Sequence, residues 1–100
     1  MFTRMIHFQT QGDKKAEALG IMDTLLPKIR QQKGCKDCMF LMHDQDHQYV
    51  LLVFWESKEA ADNAAGVIGP LMKPALNKIS TEPVQPLLYE VYRPMTMEAN

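Results

Sequence analysis

The sequence predicts an α+β fold of one domain, with elements in the order β-α-β-β-α-β. An unbroken run of seven apolar and aromatic residues, Tyr49–Trp55, is followed by Glu56, Ser57 and an alanine-rich segment. This pattern is typical of a buried strand that leads into a capped helix. A polar turn at 44–48 separates the run from an earlier apolar strand, so the two strands are expected to form a hairpin. The 100 residues, of which 46% are hydrophobic, are sufficient for a single core.

The first strand is predicted at Phe2–Gln9. Because side chains alternate along a strand, this segment divides into an apolar set and a mixed set. The apolar set is Phe2, Ile6 and Phe8, and the mixed set is Thr3, Met5, His7 and Gln9.

The first helix is predicted from a cap at Asp13 to about Lys33. Its apolar residues recur every three or four positions and form one stripe: Leu19, Met22, Leu25, Leu26 and Ile29. Pro27 would cost an isolated helix about 3 kcal/mol and is expected to kink this one. Gly34 is well placed to end the helix in a left-handed conformation.

The second strand is predicted at Cys35–His43, and the helix that follows Tyr49–Trp55 is capped by the Ser57 hydroxyl. Gly69-Pro70 is expected to interrupt that helix, and a second short helix covers Leu71–Ile79.

A loop with two prolines, at 80–86, leads to the last strand at Leu87–Arg93, which Pro94 ends. The domain is therefore expected to span residues 1–94, and residues 95–100 are expected to form a loose tail.

This order of elements is that of the ferredoxin-like, split βαβ plan, an antiparallel four-stranded sheet with helices on one face. Both alternate sets of Tyr49–Trp55 are apolar, so both faces of the sheet need cover. The chain's own helices cover only one face. We therefore expect a homodimer in which the open faces of two sheets meet.

Charge and hydropathy exclude several classes of function. The net charge is −1, and the lysines and arginines of the first helical region are spread along it with Glu17 and Asp23 among them, which favours a solvated helix face over nucleic-acid binding. No apolar stretch approaches the ~18 residues of a membrane span, and the N-terminus lacks the layout of a signal peptide. A cytoplasmic protein with reduced cysteines and no membrane partner is expected.

Five side chains are candidates for chemistry. His7 is a possible general base, since the ordinary histidine pKa near 6.5 suits proton removal at neutral pH, or else a hydrogen-bonded residue of the dimer interface. Trp55 is either a stacking wall for an aromatic ligand or a core anchor between sheet and helix. Tyr49, Tyr89 and Arg93 either supply polar ends to a pocket or pack at the sheet edge.

Metal and redox sites are disfavoured. Cys35 and Cys38 form a C-x-x-C pair, but it opens a strand, where residues three apart point to opposite faces and neither a disulfide nor half of a zinc site is favoured. A metal site built from turn side chains would have four mixed ligands without support from distant residues. These side chains are His43, Asp44, Asp46 and His47. No metal is expected.

Three short motifs recur at characteristic places: Gly34-Cys35 at the start of the second strand, Trp55-Glu56-Ser57 before an alanine-rich helix, and Tyr89-Glu90-Val91 in the last strand. With them the chain resembles the antibiotic biosynthesis monooxygenase domain over about Phe2–Pro94. The resemblance implies a dimeric α+β barrel, in agreement with the open sheet face.

The resemblance also implies oxidation of a quinol-like or polyphenolic molecule by O2 without a cofactor. An electron-rich phenolate can itself give an electron to oxygen, so the protein binds the ring, helps to remove a proton and excludes water. His7 and Trp55 would be catalytic, and Tyr49, Tyr89 and Arg93 would bind substrate. Haem degradation is disfavoured, because residues 64–79 contain no histidine to serve as an axial ligand. The alternative is a non-catalytic barrel that binds a small molecule or has a structural role.

Overall fold

Six elements build the fold, which a computed structural model describes over residues 1–92. They are β1 (Phe2–Gln9), α1 (Lys15–Arg30), β2 (Cys35–His43), β3 (Gln48–Trp55), α2 (Lys58–Asn77) and β4 (Leu87–Glu90). The strands form one antiparallel sheet in the order β2-β3-β1-β4. The predicted ferredoxin-like plan is confirmed. Arg93, Pro94 and the predicted tail at 95–100 lie outside the described residues.

Strand β3 lies in the interior of the sheet, between β2 and β1. Its side chains alternate, and the set facing the helices is fully buried: Tyr49, Leu51, Val53 and Trp55. The other set, Val50, Leu52 and Phe54, is only partly covered within one chain. The apolar run therefore supplies the core on one face and leaves an apolar surface on the other.

Helix α1 is shorter than predicted at both ends. Lys14 occupies the N-cap position, and the Asp13 carboxylate accepts a hydrogen bond from the backbone N–H of Lys15 at 3.1 Å instead of capping the helix itself. The helix continues through Pro27 and ends at Arg30, not Lys33. It ends early because the chain has to turn into β2, and Gly34 makes that turn with φ +85°.

Gly34 is also fixed by close packing. Its carbonyl accepts a hydrogen bond from the backbone N–H of Glu56 at 2.9 Å. A Cβ atom at this position would lie 2.6 Å from the Cβ of Ala60. The left-handed conformation and the missing side chain together let the start of β2 approach the start of α2.

Helix α2 is a single helix, and the predicted interruption at Gly69-Pro70 is wrong. The Ser57 cap is confirmed, because its hydroxyl accepts from the backbone N–H of Ala60 at 3.1 Å. The buried stripe runs unbroken along the helix: Ala61, Ala64, Ile68, Met72 and Leu76. Pro70 and Pro74 remove hydrogen bonds to the carbonyls of residues 66 and 70, which lie on the exposed side where water can replace the bonds. Within residues 1–92 no helix is both long and apolar enough to cross a membrane.

Strand β4 ends at Glu90, before the predicted Arg93. The reason lies in its partner, because Glu90 pairs with Phe2, the first residue of β1. One further backbone hydrogen bond joins Val91 N–H to the carbonyl of Met1 at 2.9 Å.

The side of the sheet away from the helices, here called the open face, has an apolar centre and several polar side chains towards one end and one edge. It carries alternate side chains from all four strands: Thr3, Met5, His7, Gln9, Asp37, Met39, Leu41, His43, Gln48, Val50, Leu52, Phe54, Leu87 and Tyr89. Several large apolar side chains on it are exposed in the single chain, including Leu41 at 45% and Leu87 at 51%. Apolar surfaces of this kind mark interaction sites in most proteins.

Candidate functional site

A cavity of about 170 Å³ lies between the helix-facing side of the sheet and α2. Its apolar walls come from both layers, Ile6, Leu51 and Val53 on the strands and Ala64, Ile68 and Met72 on the helix. Protein interiors are packed as densely as organic crystals and contain few such voids. An apolar cavity of about 150 Å³ can hold a benzene molecule, so this one has room for a single aromatic ring.

Small residues of α2 create the space. Ala61, Ala64, Ala65 and Gly69 all line the cavity, together with Trp55 from the sheet. Larger side chains at these positions would reach the sheet and fill it. Ala65 is exposed and marks the side on which the cavity opens to the surface.

Trp55 forms part of the cavity wall, and its indole N–H is a buried polar group. The residue is 3% exposed, and its indole N–H has no hydrogen-bond partner among residues 1–92. A buried tryptophan N–H normally finds an acceptor. Leaving a buried donor unpaired costs about 1–3 kcal/mol.

Arg4 is the second polar group of the cavity wall. It projects from β1 on the helix-facing side, in register with Val53 and Leu88 on the neighbouring strands, and its side chain is 18% exposed. One guanidinium nitrogen, Nη2, lies 3.4 Å from the carbonyl oxygen of Ala61 and 3.6 Å from Oδ1 of Asp62.

Asp62 is shared between two cations. Lys58 Nζ donates to its Oδ2 at 2.8 Å, a shorter contact than that of Arg4. This hydrogen bond, followed by the charges of Lys58 and Arg4, lowers the pKa of Asp62 below its ordinary value. The carboxylate is therefore ionised, but it is held mainly by Lys58.

Sequence reasoning did not single out Arg4, although the signal was present. Alternation along β1 places Arg4 in the same set as Phe2, Ile6 and Phe8. A charged residue within an otherwise buried apolar set is the informative exception to the rule that charges stay outside.

The structure does not bring the predicted site residues together. Trp55 lines the cavity, but His7 lies on the open face, where its Nε2 is 3.0 Å from Oε1 of Gln48. Tyr89 is also on the open face, in register with Thr3. Arg93 lies outside the described residues. The roles assigned to these residues from the sequence stay predictions.

Tyr49 is buried on the helix-facing side but does not line the cavity. Its ring stacks with those of Phe8 and Phe40, at centroid distances of 5.1 and 5.6 Å. Burial raises the pKa of its hydroxyl, so the phenol is protonated at neutral pH. In this position Tyr49 anchors an aromatic cluster in the core.

The prediction that the two cysteines point to opposite faces is wrong. The register of β2 against β3 shifts between Cys35 and Asp37, and this bulge inserts one residue into the alternation. Cys35 therefore lies opposite Trp55 and Cys38 opposite Val53, both on the helix-facing side. Both are free thiols, and burial, followed by the neighbouring Cys38, raises the pKa of Cys35. Across residues 1–92 no three His, Cys, Asp or Glu side chains group so as to hold a metal ion.

The fold and cavity define a small ferredoxin-like protein with an apolar pocket between its sheet and its second helix. The family model described as antibiotic biosynthesis monooxygenase matches residues 1–66. The chain therefore belongs to the antibiotic biosynthesis monooxygenase family. No curated protein sequence matches it.

Solved structures with the same fold include SnoaB, a cofactor-independent oxygenase from Streptomyces nogalater, with a TM-score of 0.76 and 22% identity over 94% of this chain and 95% of that one. Rv0793 from Mycobacterium tuberculosis has a TM-score of 0.75 and 16% identity over 94% and 97% of the two chains. A conserved protein from Methanosarcina mazei has a TM-score of 0.70 and 17% identity over 89% and 91%. At these identities the likeness concerns the fold.

Proposed function

We propose that this protein is a monooxygenase that binds a single-ring phenol or quinol in the cavity beside Trp55 and oxidises it with O2 without a cofactor. The observation that carries the proposal is an apolar space of about 170 Å³ with Trp55 in its wall. The indole N–H of Trp55 is buried and has no hydrogen-bond partner among residues 1–92. Family membership supports the reaction class. SnoaB, with the same fold, is a cofactor-independent oxygenase.

The proposed reaction needs no external reductant. A phenol with a free para carbon reacts with O2 to give a para-quinone and water. One oxygen atom becomes the new carbonyl, the other leaves as water with the two displaced hydrogens, and the ring supplies all the electrons. The apolar walls keep bulk water away from the reactive intermediates.

Trp55 has two proposed roles. Its ring provides a flat wall for the aromatic ligand, and its N–H donates to an oxygen on that ligand.

For His7 the geometry favours the interface role over the role of base. It is exposed on the open face and pairs with Gln48, on the opposite side of the sheet from the cavity. A proton acceptor must lie within hydrogen-bond reach of the proton that it removes, directly or through one water. We propose that His7 lies between the sheets of a homodimer formed through the open face.

One observation favours a non-catalytic binding protein as a second candidate. Among the described residues that line the cavity, none is a histidine or a carboxylate. The polar side chains in its wall are Arg4, Trp55 and Lys73. A site without a base can bind a phenol and leave it unchanged.

Incubation of the purified protein with resorcinol and isotopically labelled dioxygen tests the proposal. Mass spectrometry should find one labelled oxygen atom in a hydroxyquinone product, with no hydrogen peroxide formed. Trp55→Phe keeps an aromatic wall but removes the N–H, and its rate should fall about tenfold, as expected for one lost hydrogen bond in a buried site.

Either of two results would contradict the proposed reaction. Unlabelled product together with hydrogen peroxide would identify an oxidase. Oxygen consumption no faster than in a protein-free control, with resorcinol nonetheless bound, would support the non-catalytic candidate.

A further inference from the structure

Arg4 is the charged group that the proposed reaction leaves unexplained. Its side chain is 18% exposed and lies in a wall made mostly of apolar strand and helix residues. Removing a charge from water is costly unless the charge is paired and hydrogen-bonded. A cation held in this position needs a partner that compensates it.

The partners within the described chain satisfy Arg4 incompletely. A guanidinium has five N–H donors. The contact of Arg4 with the Ala61 carbonyl, at 3.4 Å, is longer than an ordinary N–H···O bond, and Asp62 is 3.6 Å away. Asp62 is half exposed and is bound more closely by Lys58 at 2.8 Å, so it neutralises Arg4 only in part.

The cavity carries one sign of charge. Lys73, on α2, lines it together with Arg4, and no carboxylate lines it among the described residues. An apolar space with two cations in its wall matches a molecule that has a flat apolar body and one anionic substituent. The planar guanidinium fork fits a carboxylate better than a point anion, since it can donate two parallel hydrogen bonds.

We propose that Arg4 is a specificity-determining residue that selects aromatic carboxylates, such as a dihydroxybenzoate, for this cavity. The inference rests on the proposed function in one respect only, that an aromatic ring occupies the space beside Trp55. The ring lies against Trp55, and its carboxylate replaces the weak contacts of Arg4 with Ala61 and Asp62.

Binding measurements with matched ligands test the proposed preference for aromatic carboxylates, and they do not require the protein to catalyse a reaction. Calorimetric titration compares dihydroxybenzoate with its methyl ester, which has the same ring without the charge, and with resorcinol. The wild-type protein should bind the acid at least about tenfold more tightly than the ester, as expected for a charge-assisted hydrogen bond.

Substitutions then assign the preference to Arg4. Arg4→Met keeps an unbranched side chain without the charge and should bind acid and ester equally. Arg4→Lys keeps the charge without the fork, should retain part of the preference, and provides a second test if Arg4→Met does not fold. Lys36→Met is the control, because it removes an exposed lysine that pairs with Glu56 outside the cavity wall, and it should keep the full preference for the acid.

The possible failures can be told apart. Equal binding of acid and ester by the wild-type protein would overturn the role of Arg4 and leave aromatic binding standing. A preference that survives in Arg4→Met would overturn the assignment to this residue. Acetate binding as tightly as dihydroxybenzoate would reveal a simple anion site and overturn the aromatic class. Failure of all three aromatic molecules to bind would overturn the proposed function itself.

Discussion

Replacing Ala64 by leucine is expected to abolish binding of resorcinol and its oxidation while the protein remains folded. Ala64 is 3% exposed and its methyl group faces the cavity. A leucine side chain would occupy space that the ring needs. Extra carbon atoms in a closely packed core usually cost about 1–3 kcal/mol, but here they enter a void, so the melting temperature should change little.

Calorimetric titration with resorcinol and thermal unfolding followed by circular dichroism measure the two effects. Ala16→Leu, at an exposed alanine of α1, is the matched control and should bind resorcinol as the wild-type protein does. Normal resorcinol affinity in Ala64→Leu would place the ligand elsewhere and contradict the assignment of the cavity.

Replacing Leu52 by aspartate is expected to convert a homodimer into a folded monomer. Leu52 lies near the centre of the open face, in register with Met39 on β2 and Met5 on β1. In a dimer with its open faces together, the new carboxylate would be buried without a partner. The cost of burying an unpaired charge is several kcal/mol, so the dissociation constant should rise about a thousandfold or more.

Light scattering at micromolar concentration distinguishes the two states. Val67→Asp introduces the same charge at an exposed position of α2, 53% accessible, and should leave the dimer intact. A wild-type protein that is monomeric under these conditions, or a Leu52→Asp variant that remains dimeric, would contradict the proposed pairing of open faces.

Local sequence patterns predicted most of the helices and strands well, because each helix or strand depends mainly on residues that are close together in the sequence. Ser57 caps α2 as its position after Trp55-Glu56 indicated, and β1 and β2 have the predicted bounds. The prediction of a break at Gly69-Pro70 was wrong because it considered only the local sequence. Burial of a stripe from Ala61 to Leu76 stabilises one continuous helix, and this tertiary contribution outweighs the local cost of its prolines.

The candidate site was harder to predict because it depends on how separate elements meet. Both alternate sets of β3 are apolar, so the sequence could not say which of them shares a side with His7. The register supplies the answer, since His7 pairs with Val50 and therefore lies on the face opposite Trp55.

Two further features of the site could not be predicted for the same reason, because they also depend on how separate elements meet. The bulge after Cys35, which brings both cysteines to the helix-facing side, leaves no signal in the residue pattern. The cavity itself depends on which residues of α2 and of the sheet border the same space, and no property of a single element determines that.

The central claim is that ligands bind beside Trp55, and the nuclear magnetic resonance signal of its indole N–H tests this most directly. Trp55 is the only tryptophan in the chain, so the signal needs no further assignment. On titration with resorcinol, the resonance should move as the N–H gains an acceptor, and it should show nuclear Overhauser contacts to the ligand's ring protons. A ligand that binds without moving this resonance, and that contacts His7 and the open face instead, would contradict the account.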